Sequence, residues 1–150
     1  MKKPINKATI IFYVPTGEII EDPDLRLLQL MIWFSGEEFW SAGSGQGWLE
    51  HFKENKKSTL LLTFHKDYGF HLEIKFSESP PLVSLGEGEG DFEQTVKTHV
   101  CGDPWILPTK FFVTRGQTWQ AVEQFCKTGT KTDAITWGDK RKINWHYGYD

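Results

Sequence analysis

The side chains able to do chemistry are few and scattered along the chain. Five histidines, His51, His65, His71, His99 and His146, could join Glu50 or Glu73 in a metal site. None is spaced i, i+4 as helical ligands would be, and on a strand only a pair such as His71 and Glu73 shares a face. They read as strand-face residues. Cys101 with His99 suggests a nucleophile and its base, but side chains two apart on one strand project in parallel and no oxyanion donor is evident. A buried or half-buried thiol fits better, since free cysteine is among the most buried residue types. Glu37 and Glu38 beside Trp40 resemble the carboxylates of a sugar-processing site, yet adjacency in sequence does not supply the separation that glycoside chemistry needs. The run Gly43-Ser44-Gly45-Gln46-Gly47 could form an anion nest from successive backbone N–H groups. No Lys-Ser/Thr follows it, no helix pattern opens at Gly47, and the flanking charges are Glu37, Glu38 and Glu50, so a structural turn is the expectation. No nucleophile elbow, metalloprotease or deaminase motif occurs. The expectation is a protein without catalysis, cofactor or bound metal.

One charged stretch differs from the rest. Between Glu78 and Glu93 lie Glu78, Glu87, Glu89, Asp91 and Glu93, with no Lys or Arg, around the glycine-rich GEGEGD. Two readings stand: a solvated loop, or an electrostatic lure for a basic partner. On the second reading Glu87, Glu89, Asp91 and Glu93 contact the partner, with Trp145 and Tyr147 as aromatic anchors.

The elements that must carry these residues follow from pattern. A chain of 150 residues, 39% hydrophobic and 15% aromatic, is expected to form one domain around one core. The net charge of −3 lacks the basic stripe of a nucleic-acid binder. Two cysteines give no disulfide framework, the N-terminal Met1 to Lys7 makes no convincing signal peptide, and no apolar run reaches the roughly 20 residues that cross a bilayer. A soluble cytoplasmic protein is expected.

Thr9 to Val14 reads as a strand, followed by a Pro15-Thr16-Gly17 turn and a short return over Glu18-Ile19-Ile20. A helix is expected with Asp22 as N-cap, Pro23 in its first position, and Leu27, Leu28, Met31 and Phe34 as the stripe laid on the sheet, ending at Gly36. Ser58 to His65 and Phe70 to Phe76 form a hairpin about Lys66-Asp67-Tyr68-Gly69, the second strand having one wet face. Leu82 to Leu85 and Phe92 to Cys101 are further strands. Thr114 and Gln117 are spaced as a capping box for a second helix, with Trp119, Val122, Phe125 and Cys126 as its stripe and Gly129 as its stop. Ala134 to Trp137 is a last strand, and Ile143-Asn144-Trp145 adds a possible one. The fold class is α+β, an antiparallel or mixed sheet with two main helices on one face.

Two stretches together suggest a family. They are GEEFWSAGSGQGWL, Gly36 to Leu49, and ILPTKFFVTRGQTWQAVEQFCKTGTKTDAITW, Ile106 to Trp137. This pairing of a Trp and glycine-serine-glycine segment with a capped helix, a Thr-Gly stop and a closing Trp resembles the immunity protein 1 family of bacterial polymorphic toxin systems. The resemblance implies an α+β protein, without enzymatic activity, that binds the effector domain of a toxin encoded beside it, a nuclease or deaminase among the possibilities. A proline expected after Thr128-Gly129 is replaced by Lys131-Thr132-Asp133, and Gly138 to Asp150 lies outside the resemblance. Trp40, Gly43, Gly45, Trp119, Gly129 and Trp137 suit core or turn roles, which puts the interface elsewhere. Two other functions compete: a small-molecule module with an aromatic-lined pocket between helix and sheet, and a hydrolase built from Glu37, Glu38 or His65.

Overall fold

The computed structural model describes residues 7–87, 91–100 and 103–143. Its centre is an antiparallel sheet. In chain order the strands are β1 (Thr9–Tyr13), β2 (Ile19–Glu21), β3 (Gly47–Lys53), β4 (Lys56–His65), β5 (Gly69–Lys75), β6 (Leu82–Leu85), β7 (Thr95–Val100), β8 (Asp103–Pro108), β9 (Phe112–Val113) and β10 (Thr136–Asp139). The main sheet runs β10-β6-β5-β4-β3-β1-β2, with β9 pairing on β5, while β7 and β8 form a separate hairpin. Every pairing is antiparallel. The helices are α1 (Leu25–Phe34), the single turn α2 (Glu37–Trp40) and α3 (Arg115–Thr128). The protein is therefore α+β, with its helices gathered on one sheet face.

That face is the main core. Phe12 of β1, Leu49 of β3, Leu60 and Leu62 of β4, and Phe70, Leu72 and Ile74 of β5 meet Leu28 and Ile32 of α1 and Val122 and Phe125 of α3. Strand alternation puts these residues on one side, and the helices supply the complementary stripe. Trp40 plugs the layer from α2, edge-on to Phe70 at 5.0 Å and 90°. Arg115 ties the two longer helices together: its guanidinium donates to the carbonyls of Ile32 and Ser35 at 2.7 and 2.8 Å, at the end of α1, and lies 4.9 Å over the Phe64 ring. These bonds satisfy carbonyls that a helix end leaves without intrahelical partners.

Helix α3 starts and stops as its sequence demands. Thr114 Oγ accepts from Gln117 N–H at 3.1 Å, and Gln117 Oε1 accepts from Thr114 N–H at 3.0 Å, the reciprocal capping box. Gly129 closes it at φ +72°, its N–H donating to the Phe125 carbonyl.

Helix α1 corrects two expectations. Its N-cap is Asp24, whose carboxylate accepts from Arg26 N–H at 2.8 Å. Asp22 instead sits at φ +46° and accepts from Ile10 N–H at 3.0 Å, bridging the strand before the helix starts. The buried stripe is Leu28 and Ile32, with Leu25 and Met31 partly covered. Leu27 and Phe34, expected on the sheet, are exposed: at 100° per residue they lie about 120° or more from the line midway between the buried Leu28 and Ile32.

Four further differences concern strands. β3 follows the glycine run through a segment, Trp48 to Lys53, for which no element had been expected, and it joins β4 through Glu54-Asn55, both at positive φ (+52° and +65°), a two-residue hairpin turn. β7 begins at Thr95 rather than Phe92 and returns as β8. The second face of β5 is not wet: His71 and Glu73 are buried beneath the β7–β8 hairpin and Lys140. The last strand lies slightly later than expected, over Thr136–Asp139. Among the described residues no helix is long and apolar enough to cross a membrane.

Candidate functional site

The acidic segment is partly tied down. Asp91 accepts through its carboxylate from Glu93 N–H at 2.9 Å and from Gln94 N–H. Its own N–H donates to Thr109 Oγ1 at 3.0 Å, and its carbonyl accepts from Lys110 N–H at 2.9 Å. Asp91 thus fastens the segment to the turn after β8, while Glu87 and Glu93 are exposed beside it. Phe92 packs edge-on against Phe111 at 6.1 Å. Glu89, Trp145 and Tyr147 lie outside the described residues, as do Cys101, His146 and most of the proposed strand Ile143-Asn144-Trp145.

Three successive N–H groups of the glycine run are already bonded within the protein, which leaves little of an anion nest. Ser44 N–H donates to the Pro15 carbonyl, Gly45 N–H to the Ala42 carbonyl, and Gln46 N–H to Ser44 Oγ. Gly43 is required here: its φ is +56°, and a Cβ would lie 2.2 Å from the Pro15 carbonyl oxygen. Trp40 is buried, and Trp137 is half-buried with Nε1 donating to the Thr132 carbonyl at 2.9 Å. These are the core and turn roles their types suggested.

Two of the chemistry-bearing residues, His65 and Cys126, are set by their structural surroundings. His65 Nδ1 accepts from Asp67 N–H at 3.1 Å, clasping the β4–β5 turn, and burial lowers its pKa although Asp67 and Glu37 act the other way. Burial pushes the Cys126 thiol up to about 12, which suppresses the nucleophilic thiolate. Among the described residues no three His, Cys, Asp or Glu side chains gather as a metal cluster.

What stands out on the surface is α1. Its outward face carries Leu27, Leu30, Trp33 and Phe34, all exposed, with Phe34 at 79%. At 100° per residue, Leu27, Leu30 and Phe34 fall within about 60° of one another. Trp33 borders them, close enough that its ring would lie 3.4 Å from a Cβ added at Gly116 of α3. Carboxylates flank both ends: Glu18, Glu21, Asp22 and Asp24 precede the helix, and Glu37 and Glu38 follow it. Arg26 on the helix and Arg115 at its C-terminal end bring positive charge to the same region, so the patch is apolar with a mixed but mainly acidic neighbourhood in sequence. Pattern hinted at this face, because α1 is apolar at eight of ten positions, more than one buried stripe can absorb.

A second concave feature lies on the other side of the sheet. There the β7–β8 hairpin stands over β4 and β5, leaving a cleft of about 230 Å³ floored by Thr63, His71 and Glu73. It is not the pocket expected between helix and sheet. No family model matches the chain, and no curated protein matches it.

Proposed function

We propose that the protein is an immunity protein that neutralises a cognate bacterial toxin by binding its effector domain. The observation that carries this reading is the outward face of α1, where Leu27, Leu30 and Phe34 with Trp33 are exposed, between sequence segments rich in carboxylates. Exposed apolar groups of this size gain about 25 cal/mol for each Å² that a partner covers, and Trp and Phe are effective anchors because they bury large areas with few rotatable bonds. The flanking carboxylates favour a basic partner, as effector domains that act on nucleic acid would be. The resemblance of Gly36 to Leu49 and Ile106 to Trp137 to the immunity protein 1 family supports the same reading. On this account the protein acts by occupation rather than by turnover.

The test is protection. The effector domain of a toxin encoded beside this gene, as the resemblance implies, is expressed inducibly in a bacterial host, with and without the full chain. Growth should be arrested by the domain alone and restored by co-expression. Continued arrest, with both proteins present and folded, would overturn the reading.

A further inference from the structure

The cleft on the outer sheet face is a second site, separate from the helical face. Its floor is unusually polar for a sheet surface. Thr63 and His71 are cross-strand partners, and Glu73 pairs with Leu61 one step along. All three polar side chains are buried, His71 at 7% and Glu73 at 6% exposure. Burying a carboxylate is costly unless it is paired, and here two ammonium groups converge on it: Lys140 Nζ at 2.8 Å and Lys75 Nζ at 3.5 Å. The local balance is one negative charge against two positive, on a molecule whose net charge is −3. Lys75 is half exposed and lines the cleft.

His71 completes the arrangement. Its ring stacks on Phe111 at 5.4 Å, and Nδ1 lies 3.4 Å from the Phe111 carbonyl, a partner that can only accept. The proton therefore resides on Nδ1, and Nε2 is the acceptor nitrogen. Burial, opposed only in part by Glu73 and the Phe111 carbonyl, lowers the pKa to about 4, so the ring is neutral near pH 7. Beside it Gln46 Nε2 donates to Thr63 Oγ1 at 3.1 Å, holding that hydroxyl in place. The walls are apolar, formed by Leu61, Leu107 and Trp105.

We propose that this cleft binds a small aromatic acid carrying a hydrogen-bond donor on its ring. The carboxylate would take the excess positive charge of Lys75 and Lys140, the ring would lie against Trp105 and Leu61, and the donor would meet the imidazole acceptor of His71. A site of this volume admits a single-ring compound rather than a nucleotide.

The probe is para-hydroxybenzoate, titrated into the isotope-labelled full chain and followed by backbone amide shifts. Saturable changes confined to β4, β5 and β8, at millimolar ligand or below, are expected. Benzoate, which lacks the donor, and phenol, which lacks the anion, should each bind more weakly. Lys75→Met should weaken para-hydroxybenzoate by about tenfold, the loss of one charge-assisted contact. Glu73→Gln should tighten it, because both ammonium groups are released from their carboxylate. Shifts that never saturate, equal binding of all three compounds, or unchanged affinity in Lys75→Met would each overturn the proposal. Because Lys75 is half exposed, that variant keeps the test valid even where Glu73→Gln fails to fold.

Discussion

Thr114, Gly129 and His71 each have one dominant physical task. Thr114→Ala removes an acceptor that only the N-cap hydroxyl provides and should cost about 1 kcal/mol, read as a lower denaturant midpoint with unchanged slope. Gly129→Ala should cost more than that, because φ +72° disfavours a side chain and the new Cβ would lie 2.6 Å from His51 Nδ1. Chemical denaturation of the two variants in parallel checks the order, and equal losses would contradict it. His71 sets a pH dependence with a definite sign. Its pKa falls from the usual 6.5 in the unfolded chain to about 4 in the folded protein, so the unfolded state binds the extra proton between those values. Stability is complete above pH 6.5 and is lost as pH falls towards 4, by about 2 kcal/mol at pH 5. His51 and His65, both lowered by burial, push in the same direction. Replacing His71 with Gln should flatten the profile over this window, and an equally steep profile in that variant would show that another group dominates.

Elements with strong local signals were legible, and those defined by partners were not. The capping box and Gly129 bound α3 by local hydrogen bonding, and β6 is bracketed by Pro80-Pro81 and Gly86, so both follow from sequence. β3 was missed because its turn is Glu54-Asn55, which reaches positive φ without the Asn-Gly signal. The buried second face of β5 was missed because His71 and Glu73 look like wet positions, and only the distant β7–β8 hairpin and Lys140 make them otherwise. For α1, eight apolar residues in ten positions left more than one stripe that could face in. Asp22 and Asp24 are both competent caps, and the hydrogen bond from Ile10 N–H settles Asp22 in the strand connection. The exposed apolar face was hidden by that excess of apolar positions, not by the cap. A consequence belongs to the helix as a whole: Leu30→Ser with Phe34→Ser should leave thermal stability nearly unchanged, since neither side chain joins the core, whereas Ile32→Ala should destabilise by about 2 to 5 kcal/mol. Thermal melts of the two variants test this separation, and a large loss in the double variant would place Leu30 and Phe34 in the fold rather than at an interface.

At the scale of the molecule, the sheet separates two surfaces with different chemistry. One side bears helices whose outer face is apolar and flanked by acid, and the other bears a small cleft with excess positive charge. The α+β class was readable from the alternation of strand and helix patterns, but the place of function was not, because exposure depends on packing that no short motif encodes. The central claim is that the outer face of α1 holds the effector domain. Its most direct test is calorimetric titration of the effector domain, the one against which the full chain protects, into the wild-type chain and into Phe34→Ala and Trp33→Ala. The account predicts that the wild type binds and that Phe34→Ala weakens the complex by at least about thirtyfold, the loss of one hot-spot side chain of about 2 kcal/mol, while its melting temperature stays that of the wild type. Wild-type affinity in both variants would contradict it and move the interface to another face.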